Sequence, residues 1–254
     1  MKKYKFFETK NGRKIAYKKV VSGVDNETPG VIFLGGFKSD MSGTKAQFLE
    51  GWALENKVPF IRFDYSGHGK SEGKFIDGCI SDWKEDALNV LDELSTGPQV
   101  LVGSSMGGWI ALLLAKLRPE RIKGLVGIAT APDFTEDSIW HNLDKVSRER
   151  LMKEGHIELP SSYSEEPLLI TKKLIEDGRK NLILTEQLTL NCPLRFLQGM
   201  QDLDVHFSQA IRLSEFLGND DIQVKFVKRA DHSFSSDECL FLVIEAINSL
   251  IQVT

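Results

Sequence analysis

The chain has 254 residues, 41% hydrophobic and 27% charged, enough for one sizeable core with room for an inserted lobe. A net charge of −4 with no long basic run points away from nucleic acid as a partner, and no apolar run reaches membrane-spanning length. Cys79, Cys192 and Cys239 are scattered without paired spacing, which argues against a disulfide framework, a zinc site or a cysteine nucleophile and for a reducing compartment.

The first twenty residues alternate, and Asn11-Gly12 sits between two strand-like runs as a hairpin turn. The lysines there flank no continuous apolar segment of the signal-peptide kind, so a cytoplasmic setting is expected. A polar connection, SGVDNETPG, ends at Gly30. Val31–Leu34 is then fully apolar, too short for a helix and suited to a buried parallel strand, and it runs into Gly35-Gly36-Phe37. A helix is predicted over about 44–56, with Ala46, Phe48, Leu49, Trp52 and Ala53 facing inward. The next strand, VPFIRFDY, leads into the glycine-rich turn DYSGHGKSEG.

Ser81 and Asp82 offer N-caps for a second helix, with Glu85 placed to complete a capping box with Asp82. Gly97-Pro98 end that helix before the stretch QVLVGSSMGGWIALLLAKL, where a short apolar run meets G-x-S-x-G and a helical pattern follows at once. Strand, sharp turn, helix is the context of a nucleophile elbow. Gly103 and Gly107 are required because a Cβ at either would collide with the neighbouring strand or helix. Ser105 stands at the apex, and Ser104 beside it is the alternative register.

RIKGLVGIAT supplies another strand, so strands alternate with helices as in a mostly parallel sheet covered on both faces. From 133 to 191 the rhythm changes to amphipathic helical patterns, read as a small helical cap inserted into a core of 1–132 and 192–254. Trp140, Leu151 and Leu168 are its candidate pocket walls. Strands follow at 193–197 and 222–227, and a closing helix covers about 236–251.

A serine hydroxyl at neutral pH needs an adjacent base. Of the five histidines, His68 lies in a glycine-rich turn and reads as structural. His141 and His156 fall in the presumed cap, and His206 closely follows a strand. His232 follows the last strand, on a loop at the elbow's edge of the sheet, and is preferred. The base needs a carboxylate to fix its tautomer. Asp202 lies just beyond a strand end; composition does not separate it from Asp204. Two backbone N–H groups must face the developing oxyanion. Met106, next to the nucleophile, supplies one, and Phe37 in the turn after the first parallel strand is the other candidate.

Taken in order, GSSMGG, DYSGHGKSEG, GMQDLDV and the Asp231-His232 pair resemble the α/β-hydrolase superfamily from Lys3 to the C-terminus. MSGTKA, VGSSMGGW, PSSYSEE and NCPLRFLQGMQD further resemble its branch of acyl-protein thioesterases and acyl-glucuronide esterases. The resemblance implies a Ser105–Asp202–His232 triad, because an acid three residues after the strand-end Gly199 is the superfamily's spacing. It also implies oxyanion donors at Phe37 and Met106, no metal or organic cofactor, and an ester or thioester substrate, small or carried on a protein. His206 stands where the superfamily usually has proline. Peptidase or C–C hydrolase chemistry uses the same triad, whereas a non-catalytic binding fold would be expected to have lost a triad member. Dehalogenation would want aspartate at position 105.

Overall fold

A computed structural model describes residues 4–21, 29–160 and 167–251. The connection at 22–28 and all of PSSYSEE except Pro160 therefore lie outside the described residues. Ten strands occur among those described: β1 (Lys5–Glu8), β2 (Lys14–Val20), β3 (Gly30–Leu34), β4 (Phe60–Phe63), β5 (Gln99–Ser104), β6 (Ile122–Ile128), β7 (His156–Leu159), β8 (Leu168–Thr171), β9 (Leu194–Gly199) and β10 (Ile222–Val227). Eight of them form one sheet in the order β1-β2-β4-β3-β5-β6-β9-β10. Pairing is antiparallel at β1–β2 and β2–β4 and parallel from β4 to β10.

Strand periodicity sorts the side chains into two cores. From β3, Ile32 and Leu34 point to one face while Val31 and Phe33 point to the other. The second face is covered by α1 (Thr44–Asn56) and α7 (Asp237–Ile251), through Leu49, Trp52, Val243 and Ile247. The helix over 44–56 matches its predicted bounds, with Phe48 only half buried and edge-on to Phe241. The first face carries α2 (Ile80–Asn89) and α3 (Met106–Leu117), with α6 (Ser208–Phe216) contributing Leu213.

In α3, every residue from Met106 to Ala115 is buried. A helix that is apolar all round cannot face water on its outer side. The chain between β6 and β9 supplies the cover: Asn181 accepts the Trp109 indole N–H at 3.1 Å, and the Phe134 ring meets Trp109 edge-on.

That chain is not purely helical, contrary to the sequence-based expectation. It holds π-helical turns at Thr135–Trp140, α4 (Lys145–Glu154), the antiparallel hairpin β7–β8 and α5 (Lys172–Gly178). LLIT pairs with HIEL, and the β-branched and aliphatic content of each tetrapeptide suits a two-stranded ribbon packed on helices. Leu151 is fully buried in the core, so it is not a pocket wall. The Trp140 ring is covered by the Arg179 guanidinium 4.4 Å from its centroid.

The capping box is also corrected. α2 begins at Ile80 after Cys79, which makes no side-chain cap. Asp82 instead faces Arg13, Lys173 and the Cys79 thiol, and Glu85 binds Arg13. The Ser81 N–H is taken at 2.7 Å by the carboxylate of Asp177, 96 residues away on α5. A helix end can be satisfied from a distant segment as well as locally, and here that bond docks the insertion onto α2.

The insertion is closed at its base by Asp133, which holds φ +56° and accepts the N–H groups of Ile183 (3.0 Å) and Leu184 (2.8 Å). Burial pushes its carboxyl up, the two N–H groups pull it down, and the balance is about 6. A carboxyl raised in the folded state adds stability below its unfolded value of about 4 and loses it as pH rises through about 6. Asp133→Asn keeps an acceptor oxygen but cannot titrate. The Tm of the wild type relative to this variant is expected to fall between about pH 4.5 and pH 7.5; a constant difference in thermal unfolding would contradict the clasp's protonation.

Candidate active site

The elbow has the geometry its sequence demands. Ser105 sits at φ +55°, ψ −119° between β5 and α3, a conformation that costs a non-glycine residue about 1–3 kcal/mol and persists only where the surroundings enforce it. Its N–H donates to Ile128 on β6, and its carbonyl accepts from Gly108 and Ala131. A Cβ on Gly103 would lie 2.4 Å from the Gly107 carbonyl oxygen, and one on Gly107 would lie 2.1 Å from that of Leu34. Alanine fits at neither position without moving backbone. Ser104 is buried at the end of β5, whereas Ser105 is partly exposed at the helix start.

The Leu34–Gly35–Gly36 end of β3 therefore lies directly against the elbow. A Cβ on Gly36 would come within 3.4 Å of the Ser105 Cβ. Among the described residues, the N–H groups of Phe37 and Met106 have no hydrogen-bond acceptor. The Phe37 side chain is seated among Phe75, Trp83 and Phe134, with ring centroids 4.9, 5.7 and 5.3 Å away.

Asp202 follows β9, and His232 follows β10. The parallel register aligns Val227 with Gly199, so both loops leave from the same edge. The close approach is again a glycine's: a Cβ on Gly199 would meet the Ala230 carbonyl oxygen at 2.3 Å. His232 Nδ1 and Asp202 Oδ2 are 2.9 Å apart. A carboxylate only accepts, so the imidazole donates from Nδ1 and keeps Nε2 for chemistry. The histidine loop is braced by Asp231, whose Oδ1 accepts from Ser233 Oγ and the Phe234 N–H, and by the Lys45 ammonium donating to the Ser233 carbonyl.

Asp202 is nearly fully buried. Its Oδ1 accepts the N–H groups of Asp204 (2.9 Å) and Val205 (2.8 Å), and its Oδ2 accepts His232 and the Gln198 amide (3.0 Å). Burial pushes this carboxyl up, but the bonds from His232 and the backbone outweigh it and hold it below the usual carboxylate range. Asp202, Asp204 and His232 offer metal-type ligand atoms within 4.8 Å of one another. Yet Asp202 already accepts four hydrogen bonds, its full complement, and a metal ion would have to displace some of them.

The other histidines lie elsewhere. His141 is exposed beside Glu136 and Asp137, and His156 is exposed on β7. His206 packs against Phe207 with the rings tilted and accepts the Ser208 N–H at the start of α6, a terminal contact proline could not make. Burial raises the Cys79 and Cys192 thiols to about 12 and about 11, far from nucleophilic. Gln198 was not singled out from the sequence, although a polar residue inside the buried strand LRFLQG is the signal that could have found it.

Comparison with known proteins agrees with this architecture. Residues 45–155 match the alpha/beta hydrolase fold family. Palmitoyl-protein thioesterase ABHD10, mitochondrial, from Mus musculus is 35% identical over 238 residues, spanning 93% of this chain and 78% of the relative. The solved structure of alpha/beta hydrolase domain-containing protein 10 from mouse superimposes with a TM-score of 0.90 at 33% identity, covering 98% of each chain. A putative hydrolase from Agrobacterium vitis S4 gives a TM-score of 0.92 at 40% identity over 99% of this chain and 100% of that one. The mouse relative's mitochondrial name overturns the cytoplasmic setting expected from the sequence. Scattered cysteines do not distinguish the cytoplasm from the mitochondrial interior.

The two candidate acids can be separated by kinetics. Asp202→Asn keeps the shape but holds the imidazole in the wrong tautomer, a change that costs a serine protease about 10⁴ in turnover. A loss of that order is expected here, against roughly tenfold or less for Asp204→Asn, read as kcat on one activated ester; the reverse ranking would move the acid to Asp204. Elbow, sheet order and this kinship place the chain in the α/β-hydrolase family.

Proposed function

We propose that this α/β-hydrolase cleaves carboxylic esters or thioesters through an acyl-enzyme on Ser105, with His232 as general base and acid and Asp202 as its orienting carboxylate. The observation that carries the reading is the 2.9 Å Asp202–His232 bond, at the edge of the sheet where the strained elbow presents Ser105. Ser105 Oγ attacks the acyl carbon while His232 Nε2 takes its proton. The negative charge that develops on the carbonyl oxygen is met by the Phe37 and Met106 N–H groups, aided by the N-terminal end of α3. His232 returns the proton to the departing alkoxide or thiolate. Water, activated by the same imidazole, then releases the acid and regenerates the serine.

S-acyl thioesters are the substrate class favoured by kinship, since the mouse relative is named a palmitoyl-protein thioesterase. The aromatic surroundings of Phe37 suit an apolar acyl group. Residues 133–191 act as a cap over the sheet edge, inserted into a core of 1–132 and 192–254, with wall residues drawn from Phe134 and the half-buried Leu168. No helix among the described residues is long and apolar enough to cross a membrane.

A fluorophosphonate probe is expected to add one adduct, mapped to the peptide containing Ser105, and Ser105→Ala to lose both label and esterase activity while keeping its thermal unfolding. A label that persists in Ser105→Ala and maps to Ser104 would overturn the register of the elbow. Nitrophenyl esters and S-acyl thioesters of graded length then read the acyl preference, which Phe134→Ala and Leu168→Ala should shift more than they change turnover of the shortest ester.

A further inference from the structure

The turn after β4, DYSGHGKSEG, plays no part in the reaction so far described, yet it is built around two buried polar side chains. His68 is 4% exposed and boxed by the rings of Tyr65, Phe75 and Trp83, with centroids 5.6, 5.1 and 5.1 Å away. Its Nδ1 lies 3.2 Å from the Ser66 carbonyl, which can only accept, so Nδ1 carries the hydrogen and Nε2 is left with a lone pair. That lone pair accepts the backbone N–H of Lys38 at 3.2 Å. Burial pushes the imidazole down to about 4, which keeps this acceptor unprotonated at neutral pH.

Lys38 is the residue after Phe37, and it holds φ +59°, a conformation that a lysine adopts only under constraint. The same turn grips this loop a second time: Asp64 accepts the Met41 N–H at 2.6 Å with one oxygen and the Lys70 N–H at 2.8 Å with the other. Between the two anchors the Ser39 N–H and hydroxyl close back on the Gly36 carbonyl. Gly36 itself packs against Ser105. The Phe37 peptide is thus held from both ends, by the elbow on one side and by His68 on the other.

We propose that His68 is a positioning residue of the oxyanion site: its neutral imidazole accepts the Lys38 N–H and so aims the neighbouring Phe37 N–H at the acyl oxygen. This rests on Phe37 serving as an oxyanion donor, the reading given above. An imidazole that merely filled an aromatic box could be replaced by another ring without touching the chemistry. One that aims a transition-state donor cannot, and its loss falls on kcat rather than KM.

The test compares His68→Leu, His68→Phe and His68→Gln with the wild type, reading kcat and KM on one activated ester, Tm, and the rate of fluorophosphonate labelling. Leucine and phenylalanine remove the acceptor, the latter keeping a ring in the box. Glutamine can place its amide oxygen near the Nε2 position. Removing an oxyanion donor outright costs about 10²–10³ in kcat, and misaiming one is expected to cost roughly ten- to a hundredfold. That loss should appear in the leucine and phenylalanine variants with KM within about threefold and labelling slowed in parallel, and glutamine should recover most of it.

The proposal is overturned if His68→Phe retains wild-type kcat, or if all three variants lose activity in proportion to Tm. Nitrogen NMR of the wild type gives a reading independent of any variant's folding: a hydrogen on Nδ1 and a bare Nε2 at His68 at pH 7 are required, and a protonated Nε2 refutes the acceptor role. Ser105→Ala separates this proposal from the reading beneath it. If that variant stays active the site itself is misassigned; if it is dead while the His68 variants match the wild type, only the role of His68 falls.

Discussion

The close approach of α3 to the ends of β3 and β5 is the constraint on which the rest of the structure depends. Gly107 leaves no room for a Cβ beside the Leu34 carbonyl, and Gly103 leaves none beside Gly107. With both positions free of side chains, the helix starts one residue after the strand, and Ser105 is forced to φ +55° at its N-terminal end. The strain is repaid by burial: ten consecutive residues of α3 leave water, and each large side chain contributes roughly 1.5–3 kcal/mol. Ser105 is therefore held by the same contacts that make the hydrophobic core, so its placement does not require a separate device.

How much of this could be read from the sequence follows from the range of the interactions. The elbow, the hairpin at Asn11-Gly12, the helix over 44–56 and the strand at 222–227 rest on local spacing, and the structure has them at or within a residue or two of the predicted bounds. The meeting of Asp202 with His232 was legible because parallel strands deliver their following loops to one edge, whatever the residues between. The capping of α2 was not legible: Ser81, Asp82 and Glu85 have the local pattern, but Arg13, Lys173 and Asp177 compete for those groups from distant parts of the chain. The β7–β8 hairpin was missed for a related reason. LLIT adjoins a true helix, and three apolar residues followed by Thr171 read equally well as its first turn until a partner strand is known.

Buried polar groups on the carboxyl side of the sheet form the second tier of organisation. Asp202 spends all its acceptor capacity on His232, Gln198 and two backbone N–H groups, so its charge is stabilised in place before any substrate arrives. Asp64 likewise ties down backbone N–H groups of Met41 and Lys70, and Asp133 those of Ile183 and Leu184, although burial raises both of these carboxyls. In each case a carboxylate next to a parallel strand end ties down backbone N–H groups that have no ladder to join. Loops that carry chemistry lack secondary-structure bonds, and these acids replace them.

The insertion and the loop after β3 meet in one run of aromatic contacts. Phe134, the first aromatic residue after Asp133, touches both Phe37 and Trp109, and Phe37 touches Phe75 and Trp83 in turn. Asn181, at the other end of the insertion, accepts from the Trp109 indole and from the Lys84 ammonium on α2, and its amide donates to Ser81. Packed rings transmit a displacement because a close-packed interior has no slack to absorb it. A shift of the insertion that moved Phe134 would therefore press on the Phe37 side chain. Under the proposed mechanism, acyl selection by the segment after β6 and stabilisation of the transition state are mechanically joined through Phe37, since the ring packed on Phe134 and the proposed donor N–H belong to one residue.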